Sequence, residues 1–140
     1  MKSARRRSRE LALQGLYAWQ LSGEQAAQLR SQLAETRDFE KADRDYFARL
    51  LSGTIECAAV LEGLIAPALD RKSEELSPIE HGILLLAAFE LQNVPDVPYK
   101  VVINEAVELA KLFGGTDGHK YVNGVLDKLA KNLRSGEARK

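Results

Sequence analysis

Apolar residues along this chain recur every three or four positions, the spacing of one helix face, and no segment shows the alternation of a strand. The last third shows the pattern most sharply. Between Pro98 and Lys131, Val102, Ala106, Leu109 and Phe113 form one stripe, widened by Ile103 and Ala110. Val122, Val125, Leu126, Leu129 and Leu133 form a second. Gly114 and Gly115 are expected to stop the first of these helices in the left-handed conformation that satisfies its last carbonyls. Thr116 or Asp117 can cap the second. At the other end, Ser3 caps a predicted helix to about Leu21, with Ala12, Leu13, Leu16, Trp19 and Gln20 on or near one face. Ser22-Gly23 breaks it. A weaker amphipathic segment over 24–34 and a loop over 36–42 follow. Asp43 then caps a long predicted helix reaching about Pro67, on a stripe of Tyr46, Phe47, Leu50, Leu51, Ile55, Ala58, Leu61 and Leu64. Residues 70–75 read as a charged connection with room for a helical turn. Ser77-Pro78-Ile79-Glu80 is a start signal, with serine as cap, proline in the first helical position and Glu80 reaching back. The run 83–89 is apolar nearly all round and predicts a central helix packed on several sides. Glu90, in line with it, reaches the end of the core or bonds to a backbone donor. Val94-Pro95-Asp96-Val97-Pro98 ends that helix and turns the chain. The predicted class is all-α.

At 140 residues the chain suits a single domain, or two small bundles sharing one core. No apolar run approaches the ~20 residues of a membrane helix, and the basic N-terminus lacks the apolar stretch of a signal peptide. The one cysteine, Cys57, can form no internal disulfide and fits a reducing cytoplasm. With His81 and His119 it makes too small and too scattered a ligand set for zinc. Its apolar helical neighbours argue for packing over nucleophilic chemistry, and no nucleotide-binding fingerprint is present. The expectation is a protein without catalysis, metal or cofactor.

The 20 basic and 20 acidic residues cancel, and the cancellation hides an asymmetry. Residues 1–9 hold Lys2, Arg5, Arg6, Arg7 and Arg9 and no acid, leaving 15 basic against 20 acidic residues elsewhere. Arg5, Arg6 and Arg9 project onto the apolar side of the first helix. Bare guanidinium groups are not buried without partners. Either the first turns run past the core, or the arginines meet an anion, or the segment is a frayed basic tail. Near the other end, GGTDGHKY sets backbone donors, Lys120 and the ring of Tyr121 at a helix N-terminus, an arrangement that favours phosphate. An ordinary capped helical hairpin explains the same residues. Tyr17 and Tyr121 each lie at the border of an apolar stripe. Arginines attract phosphate without sequence preference, and aromatic faces stack splayed bases of single-stranded RNA. Arg5, Arg6, Arg7, Arg9, Tyr17, Lys120 and Tyr121 therefore suit RNA, provided the first and last helices are neighbours. The bland alternative is a salt-bridged patch between helices.

The segments RRRSRELALQGLYAWQ, LSPIEHGILLLAAFEL, VVINEAVELAK and FGGTDGHKYVNGVLDKLA resemble, in order and spacing, the NusB family of bacterial transcription antitermination factors. The resemblance runs from about Lys2 to Leu133. It implies a fold of two small three-helix bundles packed together, joined by long middle helices, with a polar tail over 134–140. It also implies binding of boxA RNA in nascent ribosomal RNA transcripts, jointly with NusE, a small-subunit ribosomal protein. RNA polymerase and other Nus factors complete the complex. The family's arginine-rich first helix matches Arg5, Arg6, Arg7 and Arg9, and its RNA-facing tyrosine matches Tyr17. The aspartate and aromatic of its last loop match Asp117 and Tyr121. Glu74 and Glu80 align near where RNA and NusE approach each other. Leu85 departs from the family, standing where a basic residue is frequent. Two rivals remain. One is the NusB-like domain that precedes a ribosomal RNA cytosine methyltransferase, which would need far more chain after Leu133. The other is a helical protein adaptor, or a homodimer that covers its own arginine face.

Overall fold

The computed structural model describes residues 2–115 and 117–138, and their regular structure is entirely helical. The chain divides after Cys57 into two compact units. The first holds α1 (Ala4–Ser22), α2 (Ala26–Leu33) and α3 (Arg44–Glu56), with a 3-10 turn at Arg37–Lys41. The expected caps form: the Ser3 hydroxyl accepts the Arg6 N–H at 3.1 Å and the Asp43 carboxylate accepts the Tyr46 N–H at 3.0 Å. Gly23 closes α1 at φ 71°, its amide donating to the Trp19 carbonyl. Only a residue without Cβ takes that conformation cheaply. The core of the unit is Leu11, Ala12, Leu13, Leu16, Leu29, Phe47, Leu50 and Leu51, all buried. Gly15 lets α1 and α3 approach, because a Cβ there would stand 2.8 Å from both methyls of Leu51. The starts of the same two helices are tied by Ser8, whose hydroxyl donates to the Asp43 carbonyl at 2.6 Å.

The second unit holds α4 (Ala58–Ile65), α5 (Pro78–Asn93), α6 (Tyr99–Phe113), α7 (Gly118–Leu133) and the short α8 (Ser135–Ala138). Short 3-10 turns occupy Ala66–Ala68 and Ser73–Glu75. As its all-round apolar sequence predicts, α5 is central, packing on α4, α6 and α7. Every residue of it from Gly82 to Leu91 is buried, Leu85 included. The Ser77 hydroxyl accepts the Glu80 N–H and donates to the Glu80 carboxylate, so the return bond closes on the serine side chain instead of its backbone.

Four expectations need correction. The helix predicted over 43–67 is divided, because Cys57 leaves helical geometry at φ −95°, ψ 8°. No glycine or proline marks that point; it coincides with the boundary between the units. The second unit accordingly begins with α4 as a helix of its own. Gly114 is extended, at φ −91° and ψ −176°, and not left-handed. A Cβ there would stand 2.7 Å from the Ala110 carbonyl oxygen, so space and not handedness calls for glycine. Asp117 occupies the N-cap position of α7 without a capping bond from its side chain, and Thr116 lies outside the described residues. The buried stripe of α6 stops at Ala110, leaving Phe113 exposed.

Arg134, expected in a polar tail, is instead buried. The physical reason lies in the turn after α5. The carbonyl of Leu91 would receive an N–H group from position 95, which is proline and has none, while the Val94 carbonyl, facing Pro98, accepts the Val97 N–H at 3.1 Å instead. Arg134 supplies the donor that Leu91 lacks and adds bonds to three neighbouring carbonyls. Its Nε donates to Leu91 O at 2.7 Å, Nη2 to Val94 O at 3.0 Å and to Glu90 O at 3.3 Å, and Nη1 to Val97 O at 3.1 Å. Glu137 then takes Nη1 with one carboxylate oxygen and the Tyr99 N–H at the start of α6 with the other, both at 2.7 Å. Five donors of one side chain are thus satisfied at the carbonyl end of a helix, where positive charge is favoured.

Replacing Arg134 by alanine removes the donor of the Leu91 and Val97 carbonyls, those of Glu90 and Val94 keeping a backbone N–H, and a buried polar group without a partner costs about 1–3 kcal/mol. Arg134→Ala is expected to lower the unfolding free energy in urea by about 3 kcal/mol. Arg134→Lys, with three donors and no planar fork, should recover only part of it. An alanine variant as stable as the parent would refute this role.

Candidate nucleic-acid interface

The arginine run is helical from Ala4 onward, which overturns the frayed-tail expectation. One turn apart, Arg5 and Arg9 both lie over the ring of Tyr46 on α3, their guanidinium carbons 4.2 and 5.5 Å from its centroid. This explains how arginines share the apolar side of α1, since an aromatic face attracts a guanidinium and desolvates it at low cost. Arg9 is only 4% exposed, so it serves this packing and stands back from any surface ligand. Arg5 Nε also lies 3.9 Å from the Asp43 carboxylate, and Arg7 Nη1 3.3 Å from that of Asp38. Arg6 is half-buried. Exposed ion pairs of this kind contribute little, so a phosphate can replace Asp38 or Asp43 at small cost. Further along α1, Tyr17 is 40% exposed and presents an aromatic surface.

In the second unit, Lys120 and Asp117 form an exposed pair at 3.6 Å. Lys120 borders two hollows. One, of about 530 Å³, lies along α6 and α7 and is lined by Lys100, Lys111 and His119 among others. The other, of about 180 Å³, is lined by Tyr121, Lys128, Gly124 and Asp70. Glu80 faces the start of α7: a Cβ on Gly118 would stand 3.4 Å from its Oε2. The positive end of α7 therefore already faces a carboxylate of its own chain, which weakens the case for phosphate there. Glu74 is exposed on the 3-10 turn Ser73–Glu75.

Tyr121 is half-buried, and Arg71 covers its ring, the guanidinium carbon 4.2 Å from the centroid. Arg71 Nε donates to the Asp70 carboxylate at 2.9 Å. That bond holds Asp70 below the ordinary carboxylate range and Arg71 above its own. The Tyr121 phenol is pushed up, first by burial and then by the Asp70 carboxylate near it. The hydroxyl itself meets no partner at good hydrogen-bonding geometry, so Asp70 acts on it through proximity. Asp70 and Arg71 were invisible as site residues in the sequence. They fall in a charged connection, and Tyr121 lies 50 positions further on, with no local spacing to link them.

The chain matches the model of the NusB family over residues 6–131. It is 59% identical over 137 residues to transcription antitermination protein NusB of Paraburkholderia phytofirmans, covering 98% of this chain and 95% of that protein. Among solved structures it is similar to T. maritima NusB, with a TM-score of 0.81 and 32% identity over 94% of this chain and 93% of that one. A second similar structure is of the antitermination factors NusB and NusE in complex with dsRNA, with a TM-score of 0.83 and 25% identity over 91% of this chain and 96% of that one. No single helix among the described residues is long and apolar enough to cross a membrane.

The raised pKa of Tyr121 carries a sign. Folding favours the neutral phenol, so its contribution is whole below the unfolded value near 10.0 and is lost as pH rises through the folded one. In an alkaline absorbance titration, the difference between the parent and Tyr121→Phe should show a phenol ionising later than free tyrosine. Ionisation at the ordinary pH would contradict the burial described.

Proposed function

This chain belongs to the NusB family, and on that premise we propose that it is a cytoplasmic transcription antitermination factor. It binds boxA-type single-stranded RNA of nascent ribosomal RNA transcripts together with NusE and joins the antitermination complex of RNA polymerase and other Nus factors. What carries the reading is the family match over residues 6–131, which takes in the arginine helix from Arg6 onward and the Asp117–Tyr121 segment. Arg5, Arg6 and Arg7 supply affinity for phosphate, and Tyr17, Lys120 and Tyr121 help hold unpaired bases. Arg9 acts through Tyr46, fixing the ring on which Arg5 rests. Glu74 and Glu80 belong to the NusE-facing side. The protein works as a scaffold, without catalysis.

Asp117 is an acid in a segment meant for phosphate, and its side chain pairs with Lys120 without capping α7. It tempers affinity by holding the lysine.

The reading is tested by titrating the protein into a short boxA-like RNA, a scrambled control and a duplex of the same sequence, at two salt concentrations, with and without NusE. Preference for single-stranded boxA, strengthened by NusE and weakened by salt, is the expected result. Equal binding to all three would leave only a basic surface. No binding even with NusE, together with a salt-independent monomer–dimer equilibrium, would replace the reading with an adaptor whose arginine face is self-covered. In the same assay Asp117→Asn should tighten RNA binding several-fold, since it removes a like charge and frees Lys120. Unchanged or weaker binding at matched stability would sink that role for Asp117.

A further inference from the structure

We propose that Arg71 is an RNA-contacting residue, its guanidinium plane forming the platform on which a base stacks, with Tyr121 as the support that holds it. The inference rests on the RNA-binding reading above and changes which side chain meets the base. A ring at position 121 suggests direct stacking, but the guanidinium of Arg71 occupies the ring face at 4.2 Å. Tyr121 is half-buried, so the surface this pair offers outward is the far face of Arg71. That side chain remains 42% exposed.

Its orientation is set from two directions. The ring supports the guanidinium from one side. Asp70 accepts the Nε proton at 2.9 Å, and a hydrogen bond of that kind lies in the guanidinium plane and leaves its outer face open. A guanidinium plane is an established stacking partner for unpaired RNA bases. Held in this way, it surrenders little side-chain freedom on binding. Phosphates flanking a base on Arg71 have cations at hand, because Lys120 and Lys128 line the hollow beside Tyr121.

The geometry separates stacking from charge. Lysine keeps the charge of arginine and lacks its plane. Binding of a short single-stranded boxA-like RNA, with NusE present, would be measured for the parent, Arg71→Ala, Arg71→Lys, Tyr121→Phe and Tyr121→Leu across a salt series. Matched thermal midpoints would be required. Arg71→Ala and Arg71→Lys should both lose about tenfold in affinity, in line with the ~1–3 kcal/mol of a stacked base. Only the alanine variant should flatten the dependence of log K on log salt, by about 0.7. Tyr121→Phe keeps the ring and should stay within about twofold of the parent, whereas Tyr121→Leu should fall with the arginine variants.

Parental affinity in Arg71→Lys would reduce Arg71 to a point charge and overturn the proposal. Tighter binding by Arg71→Ala would also overturn it, identifying Arg71 as a cover that RNA displaces from Tyr121. If the parent binds and neither arginine variant differs from it, this inference alone fails. If the parent binds no RNA even with NusE, the antitermination reading fails and takes this inference with it.

Discussion

A proline in the turn after the central helix leaves a carbonyl of that helix without its backbone donor, and the second unit depends on how that deficit is met. Leu91 faces position 95, where no N–H exists, while the Val94 carbonyl is served by the Val97 amide. Arg134, at the end of α7, inserts its guanidinium there and bonds to four carbonyls, while Glu137 holds that guanidinium and caps the first N–H of α6. The ends of α5, α6 and α7 are thereby tied at one point. Buried charge is tolerated because every donor has a partner and because the carbonyl end of a helix is itself negative. At the opposite end of the α6–α7 hairpin, the segment carrying Asp117, Lys120 and Tyr121 stands on a frame fixed from its far side.

A second device recurs at the sites proposed for RNA. In each unit an arginine is laid on a tyrosine ring and steadied by an aspartate: Arg5 on Tyr46 with Asp43, and Arg71 on Tyr121 with Asp70. The ring orders the guanidinium before any ligand arrives, which reduces the entropy lost on binding. The aspartate lowers local positive charge. These are exposed or half-exposed pairs, weak enough for phosphate to compete with them. The arrangement favours exchange over permanent pairing and needs no bond-making chemistry.

Charge at the interface is also more economical than composition suggests. Five basic residues in the first nine read as a strongly cationic arm. In the fold, Lys2 pairs with Glu10 at 2.9 Å, Arg7 with Asp38, and Arg9 is withdrawn onto Tyr46. What faces outward is a shorter, partly neutralised strip, whose affinity for a polyanion must come from geometry as well as charge.

The helical class, the two serine caps and the Asp43 cap, the central place of α5 and the family resemblance are all legible in the sequence. Those follow from periodicity and end signals within a turn or two of each residue, and helices form by local rules. The break at Cys57, which no proline or glycine announces, and the extended Gly114, where crowding by Ala110 matters and handedness does not, come from the packed fold. It alone placed Arg9 on Tyr46, Arg71 on Tyr121 and Arg134 at the end of α5, pairs separated by 37, 50 and some 40 positions. A guanidinium on a distant ring or carbonyl leaves no periodic trace, because its partner is chosen by where helices meet and not by spacing along the chain.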